Sequence, residues 1–78
     1  MEIPMAVRSL AIEVFGDENF EIEDFDLDRV WITRNEEEYT IRTWDFTESR
    51  VRWTLFKMID NGDGTGHGEE LKEGLFNY

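Results

Sequence analysis

The chain has 78 residues with 19 acidic and 8 basic side chains, one His, one Pro and no Cys. A chain of this length makes one domain that withdraws only about 60% of its unfolded surface from water, so a net stability of a few kcal/mol is expected. The absence of Cys excludes a disulfide framework, a thiolate zinc site and a cysteine nucleophile. No apolar run approaches the ~20 residues that span a bilayer, and the first residues carry no basic stretch with an apolar core behind it. These features predict a cytoplasmic protein without a membrane segment.

Charge is unevenly placed. Residues 1–28 hold nine acids and one base, residues 29–57 five acids and six bases, and residues 58–78 five acids and one base. Between Glu13 and Asp28 there are eight carboxylates in sixteen residues and no base. Such a field repels nucleic acid and anionic lipid, attracts basic surfaces at a salt-dependent rate, and opposes compaction through self-repulsion.

Taken in order, Ile3, Val7, Leu10, Ala11, Val14 and Phe15 form one apolar stripe at helical spacing, with Pro4 suited to the first turn and Gly16 to the position after the last. A competing strand pattern runs through Leu10, Ile12 and Val14; the stripe favours a helix over 1–16. In the acidic extended segment, Phe20 and Ile22 share one phase while Phe25 and Leu27 share the other. A bulge at Glu23-Asp24, or a short turn there, keeps all four inward and the acids outward. Val30–Thr33, Tyr39–Trp44 and Val51–Leu55 read as strands joined by turns at Asn35–Glu38 and Asp45–Ser49. Their core faces are Val30/Ile32, Tyr39/Ile41 and Val51/Trp53/Leu55. The opposite face carries Thr33, Thr40, Arg42, Arg50, Arg52 and Thr54 with Trp31 and Trp44. Lys57 falls on the inward phase, which predicts a bulge or strand end near Phe56. Residues 60–68 form a Gly-rich loop and residues 69–78 a short helix or extended tail. The predicted fold is therefore α+β, one N-terminal helix packed on a three- or four-stranded antiparallel meander in a single small domain, 1–78 (helix 1–16; acidic segment and strand 18–34; two strands 38–59).

No catalytic constellation emerges. Gly62, Gly64 and Gly66 lack phosphate-loop spacing and are flanked by Asp60 and Asp63. The same loop fails the calcium-loop pattern, since Lys72 takes the bidentate position in its best register. His67 with Glu69 and Glu70 is too few ligands for a structural metal. No cofactor, metal or enzymatic role is expected. Arg42, Arg50 and Arg52 with Trp31 and Trp44 have the chemistry of a single-strand nucleic-acid platform, opposed by the net charge of −11.

The acidic run points elsewhere. Acids at alternate positions of a strand stand ~6.8 Å apart, half the charge density of one DNA strand, and a second acidic element such as Glu36–Glu38 alongside narrows the gap. The expected function is a non-catalytic binding protein whose Glu13, Asp17, Glu18, Glu21, Glu23, Asp24, Asp26 and Asp28 block a basic, nucleic-acid-binding protein. Phe20, Phe25, Trp31 or Tyr39 would serve as rim anchors. Nucleic-acid mimics made by phages and inhibitors of nuclease toxins act in this way; the parallel is one of charge and size. The alternative is an assembly subunit that self-associates through a sheet edge or aromatic face. A halophilic host would explain the same composition without any partner.

Overall fold

The computed structural model describes residues 2–26, 28–45 and 47–77. A helix, α1 (Met5–Phe15), is followed by five strands: β1 (Glu21–Asp26), β2 (Arg29–Arg34), β3 (Glu37–Trp44), β4 (Arg50–Asp60) and β5 (Gly66–Asn77). The sheet order is β1-β2-β3-β4-β5 with every neighbouring pair antiparallel, an uninterrupted meander. The α+β architecture holds, but the sheet has five strands where three or four were expected.

Helix α1 forms as the stripe requires. Leu10, Ala11 and Val14 are buried against the sheet and Val7 and Phe15 partly so, while Met5, off the stripe, is exposed. Pro4 sits at the N-cap rather than inside the first turn, its carbonyl accepting from the Val7 and Arg8 amides. Gly16 closes the helix in the left-handed region at φ 79°, its amide bonded to the Ile12 carbonyl at 2.7 Å. The helix covers one sheet face, and Val30, Ile32, Ile41, Trp53 and Leu55 complete the core beneath it.

The phase slip in the acidic segment is a bulge. Ile22 pairs with Ile32, Asp24 with Trp31 and Phe25 with Val30, which leaves Glu23 as the extra residue. Phe20, Ile22 and Phe25 accordingly all pack against the core; Leu27 lies outside the described residues.

One of the two predicted turns is shorter than expected. Between β2 and β3 the turn is only Asn35-Glu36, both at positive φ (53° and 65°), the geometry of a two-residue hairpin; Glu37 and Glu38 already belong to β3. Asn tolerates this conformation and Glu does not, at a cost of roughly 1–2 kcal/mol. Gly is the favoured second residue in such turns but itself loses ~0.5–1 kcal/mol of backbone entropy. Glu36→Gly is therefore expected to raise the urea midpoint by the equivalent of a few tenths to ~1 kcal/mol.

The segment 69–78 is neither helix nor tail. From Gly66 to Asn77 it is strand β5, paired with β4 along its length, and the Gly-rich loop shrinks to the hairpin tip at 61–65. No strand end occurs at Phe56. The register shifts between Leu55 and Phe56, with the extra residue, Leu71, on β5. Lys57 keeps its inward phase beyond the helix, and its ammonium lies 3.1 Å from Glu37.

Candidate docking surface

Residues directly opposite each other in adjacent strands share a sheet face. On the face without a helix, one cross-strand row runs Glu21, Thr33, Glu38; the next runs Asp24, Trp31, Thr40, Phe56, Glu70; a third runs Asp26, Arg29, Arg42, Thr54, Glu73; and Trp44, Arg52, Leu75 form a fourth. Thr40 and Thr54 are buried although no second layer covers this face. Large neighbours shield them, Trp31 and Phe56 flanking Thr40, and Trp44 reaching Thr54 with its Nε1 donating to Oγ1 at 3.3 Å.

The bulge determines how the acids are presented. Because Glu23 is looped out, Glu21, Asp24 and Asp26 stand opposite Thr33, Trp31 and Arg29, alternate positions of β2. Their spacing along the strand is therefore ~6.8 Å although two residues, not one, separate Glu21 from Asp24. Glu23 and Asp24 together flank Trp31. Two strands away, at ~9.6 Å, Glu38 continues the same face. A groove of about 580 Å³ lies between, bounded by Glu23, Asp24 and Glu38 with Trp31, Thr33 and Met58 among its walls. Among the described residues, Glu21, Glu23 and Glu38 have no basic side chain in contact.

The eight acids do not lie together on one element. Glu21, Glu23, Asp24 and Asp26 belong to β1, and Asp28 lies in the turn before β2, where its carbonyl accepts from the Thr43 amide at 2.9 Å. Glu13 is on the exposed side of α1. Asp17 and Glu18 serve the fold. Both guanidinium nitrogens Nη1 and Nη2 of Arg34 donate to the two Asp17 carboxylate oxygens, Asn19 donates its amide to Asp17 at 3.0 Å, and Glu18 lies 3.7 Å from Arg8. Phe20 and Phe25 are on the helix side: Phe20 stacks at 5.7 Å on Phe15, which also meets Tyr39 edge-on at 5.5 Å and carries the Arg34 guanidinium at 5.0 Å. Phe20 and Phe25 are both half-buried against the core, because the alternation that turns the acids outward turns them inward. The aromatic on the same face as these carboxylates is Trp31, which is half-buried.

The Arg34 fork and the Asn19 amide hold the Asp17 carboxyl down to about 2 from an ordinary 3.8. Glu37 is lowered by Lys57 and the Tyr39 hydroxyl, and Asp63 by the Thr65 hydroxyl and amide. Groups depressed in the folded state contribute stability above their unfolded values and lose it as pH falls through the folded ones. Acidification from pH 7 toward the pI of about 4.3 first relieves self-repulsion. The urea midpoint is thus expected to hold or rise down to roughly pH 4.5 and then fall between about pH 4 and 2, and Asp17→Asn should flatten that lower limb.

At the hairpin tip the acids are committed to local turns. Asp60 accepts from the Gly62 amide at 2.8 Å, Asp63 from the Thr65 amide at 3.0 Å, and His67 Nδ1 meets Asn61 Oδ1 at 2.7 Å. Among the described residues no group of three His, Asp or Glu side chains is placed to hold a metal ion. No helix is long and apolar enough to cross a membrane. Comparison of the chain with family models, with curated proteins and with solved structures finds no match.

Proposed function

We propose that this protein is a non-catalytic binding protein that occupies a basic, nucleic-acid-binding surface of another protein through the carboxylate rim of β1. The observation that carries the reading is the bulge at Glu23. It places Glu21, Glu23, Asp24 and Asp26 along one edge of the open sheet face, with Glu38 across the groove and Trp31 between them. Partner arginines would pair with these carboxylates and stack on Trp31. The rest of the negative charge would speed encounter.

The test is competition. A partner recovered from the native host with the tagged chain should bind duplex DNA or RNA on its own and lose it stoichiometrically when this protein is added. Its affinity for the chain should fall at least about tenfold between roughly 0.05 and 0.5 M salt. A partner that keeps its nucleic acid, or an affinity indifferent to salt, counts against the proposal. A second reading, self-association, is favoured by the uncovered face with Trp44, Met58 and Leu75 exposed. Sedimentation at micromolar concentration separates the two, a monomer opposing self-association.

A further inference from the structure

Arg29 and Arg42 stand directly opposite each other on β2 and β3. Like charges in that arrangement destabilise a sheet. In a chain with 19 acids, the ion pairs within 4 Å among the described residues use Arg8, Arg34, Arg52 and Lys57; Arg29 faces Asp26 across the strands without an ion pair in that range, and Arg42 has none either. The Arg29 guanidinium instead stands 6.0 Å from the Trp31 ring. Beside the pair lies a groove of about 270 Å³ walled by Trp31, Thr40, Phe56 and Met58, with Arg29 and Arg42 at its margin. Gly68 opens the β5 side of it.

We propose that this groove binds a small ligand that joins one flat apolar ring to a carboxylate or phosphate group. The ring would lie on the Trp31–Phe56 side, and the anion would bridge the two guanidinium groups, removing their mutual repulsion. The volume lies just below the usual range for ligand sites, ~300–1,000 Å³, and suits a single ring. Asp26 and Glu73 end the same cross-strand row, so the site selects a compact anion over a polyanion. The inference is independent of the docking reading, because its cationic groups are on β2 and β3 and its probes are not proteins.

Titration of the intact chain at low salt, followed by calorimetry and by the Trp31 indole proton resonance, tests it with phenyl phosphate, phenylacetate, inorganic phosphate and benzyl alcohol. At least one of the two aryl anions should bind saturably, about tenfold more tightly than phosphate or the alcohol, and which one binds decides between phosphate and carboxylate. Arg29→Gln and Arg42→Gln should each weaken that binding about tenfold. Arg50→Gln, which removes the same charge at the far end of β4, should leave it unchanged. No saturable binding up to about 10 mM would overturn the proposal. Equal weakening in the Arg50 variant, or equal binding of the alcohol, would overturn it as well.

Discussion

Reversing Glu21, Glu23, Asp24 and Asp26 to lysine is expected to abolish partner binding, by at least about a hundredfold, or about 2.7 kcal/mol. Four reversals of two charges each move the net charge from −11 to −3, so lost long-range attraction alone would weaken association. The comparison that isolates the surface reverses Glu48, Glu69, Glu70 and Glu73 instead, which are exposed, Glu48 just before β4 and the other three on β5 at the opposite edge of the sheet. Both variants carry the same net charge. If the rim acts as a placed array, only the β1 variant loses the partner, and the loss appears mainly in the dissociation rate. If both lose it equally and only in the association rate, the acidity acts as a diffuse field and the arrangement around Trp31 has no special part. The four positions are exposed, so the variant is expected to fold, which circular dichroism checks directly.

Gly74→Ala should be the most damaging one-methyl change in the chain. Gly74 pairs with Trp53, and a Cβ built on it would lie 2.5 Å from Cζ2 and 2.8 Å from Cε2 of that indole. Trp53 is only 6% exposed, wedged between the core and Lys72, whose ammonium stands 6.0 Å from the ring. The ring has nowhere cheap to go. Forcing a methylene into such a site costs roughly 1–3 kcal/mol, against a gain of ~0.4–1 kcal/mol from a stiffer unfolded chain. For a domain of this size that net loss corresponds to several degrees in Tm, roughly 4–8 °C per kcal/mol. Gly68→Ala on the same strand is the control. Its Cβ would meet Phe56 at 3.4 Å and beyond, ordinary contact, so its urea midpoint should stay level or rise slightly. Equal midpoints for the two variants would show that Trp53 does not rest on β5 as described.

These two expectations depend on features of unequal legibility in the sequence. The helical stripe from Val7 to Phe15 was readable because its burial is one-sided and Gly16 ends it with a conformation that few other residues adopt. The phase slip was readable too: Ile22 and Phe25 sit on opposite phases of a two-residue period, which a bulge or a short turn would reconcile, and the register of β1 on β2 shows the bulge. Strand β5 was not readable. Gly66, Gly68 and Gly74 depress strand propensity, and with the sheet's other side open only Gly74 and Phe76 are even half-buried, so no alternation signals it. Its identity comes from pairing with β4, and Gly74 marks the close approach of Trp53 rather than a loop.

The candidate surface divides along the same line. That the acids of β1 face outward followed from alternation together with the phase slip at Glu23-Asp24. That Asp17 belongs to the fold did not, because Arg34 is seventeen positions away and only the return of β2 beside the helix end brings its guanidinium to the carboxylate. Of the four aromatics the sequence offers as anchors, Phe20, Phe25 and Tyr39 lie on the helix side and Trp31 on the side of the acids. Phe20 and Phe25 are next to the acids in sequence, whereas Trp31 reaches them only through the register of β1 on β2.

The most direct measurement of the docking claim is a two-dimensional amide and indole NMR titration of the chain with a nine-residue arginine peptide. The expected result is saturable shifts concentrated on Glu21–Asp26, the Trp31 indole and Glu38, with the hairpin tip and the Glu69–Glu73 acids of β5 little changed. Shifts spread evenly over every acidic segment, or centred on β5, would contradict a placed carboxylate surface on β1.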